Sequence, residues 1–123
     1  MIYDKERYEK RIICWTSISE TNPENGGLYV VPKSHMNGIL PHEPSNDFEL
    51  DMQALGFTYK DAHPMVMRAG DILVIHPLLV HGSPENKTEK DRIALIVGLQ
   101  VPKAYNETEA KIRVEILKNN VAV

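Results

Sequence analysis

The chain has 123 residues, 42% of them hydrophobic and 25% charged, with a formal net charge of −3. That length suits one domain spanning residues 1–123. The slightly acidic balance offers no broad positive field to nucleic acid or anionic lipid, and the apolar runs are far too short to span a bilayer.

The opening Met1-Ile2-Tyr3-Asp4-Lys5-Glu6-Arg7 is charged from the start and unlike a secretory leader. Cys14 is the only cysteine, which excludes an internal disulfide and a thiolate metal cluster. Lying among Ile12, Ile13 and Trp15, it reads as a buried small hydrophobe. The expected setting is cytoplasmic, or another reducing intracellular compartment.

Residues 11–19 (RIICWTSIS) and 28–32 (LYVVP) are β-branched and aromatic, and read as strands. Between them, Asn25-Gly26 is a strong hairpin signal, since both residues tolerate positive φ. Residues 36–62 show no sustained period and carry Gly38, Pro41, Pro44 and Gly56. They are expected to form a long loop of the kind that binds or covers a ligand, with at most a short helix at 51–55. Residues 65–68, 71–76 (DILVIH) and 92–101 (RIALIVGLQV) read as further strands, broken by turns at Ala69-Gly70-Asp71 and Gly82-Ser83-Pro84. Residues 111–117 (KIRVEIL) alternate as an edge strand should. Many short strands with turns between them predict an all-β sandwich or barrel.

The segment most suggestive of chemistry is His76-Pro77-Leu78-Leu79-Val80-His81-Gly82-Ser83, followed by Arg92. Neutral imidazole is a common ligand for iron, copper and zinc. A guanidinium brought beside it across a short turn would clamp a carboxylate bidentately. Taken singly, a core histidine bonded to a backbone carbonyl and a surface ion pair are the commoner roles. His76 is assigned the first of these.

Taken together, the words of this chain resemble the phytanoyl-CoA dioxygenase family. They are Trp15-Thr16, Asn25-Gly26, Leu28-Tyr29-Val30-Val31-Pro32-Lys33-Ser34-His35, Pro41-His42, Gly70-Asp71-Ile72-Leu73, the 76–83 segment, Asn86-Lys87-Thr88 and Arg92. The resemblance implies a double-stranded β-helix, a cupin-like jelly roll, and a non-haem oxygenase dependent on Fe(II) and 2-oxoglutarate. By the same resemblance, His81 matches an iron ligand and Arg92 the partner of the far carboxylate of 2-oxoglutarate. Ser83 matches a hydroxyl on that carboxylate, Trp15 a pocket wall, and His35 and His42 pocket neighbours.

The family supplies its other two iron ligands as a His-x-Asp pair upstream of the tryptophan strand. No histidine precedes His35 here. The expectation is therefore the carboxy-terminal portion of such a fold, shortened or divergent, with two of three iron ligands missing from the chain and activity in doubt. Asp61-Ala62-His63 and His42-Glu43 set acids beside imidazoles, but as loop residues they are poorly preorganised for rescue. An incomplete barrel would leave strand edges open to self-association. The rival readings are a cupin-like small-molecule binding module without turnover and a metal-dependent isomerase or hydrolase on a similar barrel. The substrate is not legible.

Overall fold

The computed structural model describes residues 10–43, 46–50, 59–100 and 110–117, with backbone alone for Glu43, Tyr59 and the strands at 46–50 and 110–117. Among the described residues nine strands run in chain order: β1 (Arg11–Ser17), β2 (Tyr29–Val30), β3 (His42–Glu43), β4 (Asn46–Leu50), β5 (His63–Pro64), β6 (Ile72–Ile75), β7 (His81–Gly82), β8 (Arg92–Gln100) and β9 (Ala110–Leu117). The helical segments among the described residues are two short 3-10 turns, Ser34–Asn37 and Tyr59–Asp61. None is long and apolar enough to cross a membrane.

A larger sheet has the order β6-β1-β8-β9 and a smaller one β5-β2-β7, with every pairing antiparallel. In the larger sheet Trp15 stands opposite Leu73 on one side and Ile96 on the other. Directly paired residues share a face, so the period of two turns Ile13, Trp15, Leu73, Ile75, Ala94 and Ile96 inward together. They meet Leu28, Val30 and Met67 in one core. This is the double-stranded β-helix, and each fully buried core side chain stabilises it by about 1.5–3 kcal/mol. The other face of the large sheet leaves Ile72 62% and Val74 61% exposed. Cys14 shares that outward row and is only half-buried, which corrects its expected place in the core.

Three further expectations are corrected. Residues 11–19 and 28–32 do not form a hairpin: β1 and β2 belong to different sheets, and only Tyr29–Val30 is strand. Gly26 does have positive φ, but Asn25 does not, so the primed turn that would fold one strand back on the other is missing. The 36–62 stretch is not structureless, because β3 and β4 pair within it. Its possible helix at 51–55 lies outside the described residues. Residues 65–68 make one isolated bridge, Thr21 to Met67, rather than a strand.

Candidate functional site

The smaller sheet carries His81 at the start of β7, and β8 of the larger sheet opens with Arg92. The two strands were expected to pair across a turn. Instead β7 pairs with β2 and β8 with β1. The 83–91 connection passes from one sheet to the other, so its two ends face one another across the interior.

Arg92 is 1% exposed, although no sequence rule buries an arginine unaided. Its Nη2 donates to Ser83 Oγ at 3.3 Å, and its guanidinium carbon lies 5.3 Å from the Trp15 ring centroid. Stacking on the indole face offsets part of the cost of desolvating the cation. Trp15, Ser83 and Arg92 thus form one corner, built from three elements. In that low-dielectric setting an arriving carboxylate would be held more strongly than at a surface.

His81 is exposed, and its Nδ1 lies 2.7 Å from Leu79 O. A carbonyl only accepts, so Nδ1 is the donor in this contact and Nε2 is the nitrogen left to face a metal. On the far side of β2, His63 is in register with the same Val30 that His81 faces, and it is also exposed. His63 thus sits in a short strand rather than in open loop. His42 lies in β3, and Asp61 ends the second 3-10 turn.

His76 is not bonded to a carbonyl as expected. Its Nδ1 accepts the Leu78 N–H at 3.1 Å, and its ring lies 5.2 Å from that of His35, tilted by 43°. His35 Nδ1 is buried with no hydrogen-bond partner among the described residues. An open iron site takes two histidines and a carboxylate. Among the described residues no three His, Cys, Asp or Glu side chains converge in a way that could hold a metal. The donor set around His81 therefore does not by itself fit iron, whereas the Arg92 corner does suit a carboxylate.

Ser34 and Asn86, which lie within the matching words, have roles that the resemblance does not assign. Ser34 is 2% exposed and its Oγ accepts the Val80 N–H at 2.8 Å, pinning the residue just before His81. Asn86 is 4% exposed and spans the 83–91 connection. Its Nδ2 donates to Lys90 O at 2.8 Å, and its Oδ1 accepts from Thr88 N and Thr88 Oγ1 at 2.9 and 2.8 Å. The Asn-x-Thr spacing is the signal that could have found the latter, since such side chains close turns on their own backbone.

Residues 1–94 match the family model described as phytanoyl-CoA dioxygenase (PhyH). Over 90 residues the chain is 33% identical to the peroxisomal phytanoyl-CoA dioxygenase of Homo sapiens, covering 68% of this chain and 27% of that protein. It is 37% identical over 90 residues to a probable phytanoyl-CoA dioxygenase of Caenorhabditis elegans, covering 68% and 29%. A methylphosphonate hydroxylase of Gimesia maris is 28% identical over 95 residues, covering 75% and 35%. The chain thus spans roughly a third or less of the length of these relatives. In fold it resembles the non-heme alpha-ketoglutarate-dependent epimerase SnoN from nogalamycin biosynthesis, with a TM-score of 0.50, 19% identity, and coverage of 93% of this chain and 45% of that one. The matched span and the shared architecture agree: the chain belongs to the phytanoyl-CoA dioxygenase family.

Proposed function

We propose that this chain carries the 2-oxoglutarate-binding corner of an Fe(II)- and 2-oxoglutarate-dependent oxygenase. Arg92 and Ser83 hold the carboxylate remote from the metal, Trp15 walls the pocket, and His81 offers one imidazole to iron. The observation that carries this reading is the buried Arg92 guanidinium, bonded to Ser83 and stacked on Trp15. In an oxygenase of this kind, iron and 2-oxoglutarate supply the oxygen chemistry that hydroxylates a C–H bond, with succinate and carbon dioxide released. A small organic molecule or an acyl-CoA thioester is the substrate class that fits the family.

The corner and the metal make separate demands. A planar fork and a hydroxyl suffice to bind a carboxylate, but one imidazole does not hold an open iron site. With the donors found among the described residues, uptake of the dicarboxylate without turnover is the expected behaviour. That also satisfies the second reading, a cupin-like binding module, which the shortage of convergent metal donors among the described residues favours.

The test is calorimetric titration of the full chain with 2-oxoglutarate, beside an assay for succinate release with added Fe(II). Binding that is lost in Arg92→Met, without succinate release, is the expected result. Equal binding by Arg92→Met would remove the corner from the account, and brisk succinate release would return the chain to the active enzymes.

A further inference from the structure

Ser83 and Arg92 meet at 3.3 Å, Ser83 just after β7 and Arg92 at the start of β8. The connection between them, residues 83–91, is gripped from outside. The turn at residues 22–27, which leads from β1 toward β2, lies against it. Asn25 and Asn86 form an isolated antiparallel bridge, and Lys87 N donates to Glu24 O at 2.9 Å.

The gripping turn is itself well formed. Asn22 Oδ1 accepts from Glu24 N at 2.9 Å and from Asn25 N at 3.0 Å, while Asn25 Oδ1 accepts from Asn22 N at 2.9 Å. Asn25 Nδ2 donates to Glu20 O at 2.9 Å, which ties the turn to the chain leaving β1.

At the contact stands Gly26, buried, with φ of +76°. A Cβ there would lie 2.8 Å from Pro84 O and 3.2 Å from Asn86 N, both backbone atoms. A side chain there therefore forces the turn and the connection apart at Pro84, the residue next to Ser83. Such a residue also resists the left-handed backbone.

We propose that Gly26 is a positioning residue for carboxylate binding. By letting the 22–27 turn seat against Pro84 and Asn86, it sets where the Ser83 hydroxyl stands relative to the Arg92 guanidinium. Gly26 touches no ligand and acts through Ser83. Asn86, which closes the same connection on Lys90 and Thr88, serves the same end from within. The inference rests on the Arg92 corner being the 2-oxoglutarate site.

A double-mutant cycle on the full chain tests it, with 2-oxoglutarate as probe and Trp15, the only tryptophan, as reporter beside the guanidinium. Gly26→Ala and Ser83→Ala should each weaken binding by about tenfold, the scale of one hydrogen bond to a charged group. In the Ser83→Ala background Gly26→Ala should add less than about twofold, because no hydroxyl remains to be misplaced. A general loosening of the fold would instead multiply the two losses.

Equal losses in both backgrounds, or no loss from Gly26→Ala, overturn the proposal. Should Gly26→Ala fail to fold, Asn86→Ser takes its place in the same cycle with the same criteria. Arg92→Met separates the two levels of inference. If it leaves 2-oxoglutarate binding intact, the corner and the positioning role both fall. If it abolishes binding while the cycle is additive, only the positioning role falls.

Discussion

Arg92 and Ser83 are joined across the interior by a 3.3 Å hydrogen bond, one opening β8 of the large sheet and the other following β7 of the small one. A lysine in place of Arg92 would keep the charge and lose both the planar fork and the flat face that rests on Trp15. Arg92→Lys is therefore expected to weaken 2-oxoglutarate binding by about tenfold to a hundredfold, the range of one or two charge-assisted hydrogen bonds. Isothermal titration measures it directly. An unchanged affinity would mean that the guanidinium holds the two sheets together and does nothing for ligand.

The same corner predicts how binding responds to metal. Its contacts come from Arg92 and Ser83, and His81 is exposed on a separate strand. Adding a chelator should change the 2-oxoglutarate affinity of the chain by less than about threefold, since no bond to metal is needed for the far carboxylate. Co(II), titrated anaerobically, should bind weakly through His81 and be lost in His81→Ala. A chelator that abolishes 2-oxoglutarate binding would show that the metal holds the ligand.

Thr21 predicts a stability effect away from the site. It is 1% exposed, donates through Oγ1 to Met65 O at 2.8 Å, and accepts from Met67 N at 3.2 Å. Thr21→Val keeps the shape and deletes the hydroxyl. Met67 N retains the Thr21 carbonyl at 3.1 Å, so the orphan is Met65 O. The cost should be about 1–3 kcal/mol by urea denaturation, the penalty of one buried group left unsatisfied. A loss below 0.5 kcal/mol on the same scale would show that water reaches that carbonyl.

The long β-branched runs of β1, β6 and β8 were legible as strands by composition. Which side faces in was not: Ile12, Cys14, Ile72 and Val74 are as apolar as Ile13, Trp15, Leu73 and Ile75, and only the second set turns inward. The strands at 29–30, 63–64 and 81–82 are two residues long, too short for a period to show. Which sheet each one joins is decided by contacts distant in sequence. That is also why Asn25-Gly26 misled: the local chemistry of a turn was present, but the turn packs on Pro84 and Asn86 rather than reversing β1 onto β2. The resemblance to the family points to Trp15, Ser83 and Arg92 together. Burial of the arginine, the stack and the Ser34–Val80 bond emerge only once the two sheets close over them.

Lys33 carries the last prediction. It is the only described non-glycine residue with positive φ, at 64° with ψ of 0°, and its side chain is exposed. The left-handed conformation is forced by its neighbours: Ser34 N donates to Val31 O at 3.2 Å and Met36 N to Lys33 O at 3.0 Å. It delivers Ser34 inward, where its hydroxyl receives the Val80 N–H. For an L-residue that conformation costs about 1–2 kcal/mol, whereas glycine adopts it freely but loses about 0.5–1 kcal/mol more on folding through chain entropy. Lys33→Gly should therefore stabilise the chain by about 0.5–1 kcal/mol, raising its melting temperature by about 2–6 °C. Lys33→Val, β-branched and hostile to positive φ, should lower it. Ser34→Ala supplies the control, costing about 1–3 kcal/mol because the Val80 N–H then has no acceptor. If glycine and valine at position 33 melt alike, the backbone there is not held left-handed, and the route by which Ser34 reaches Val80 must be redrawn.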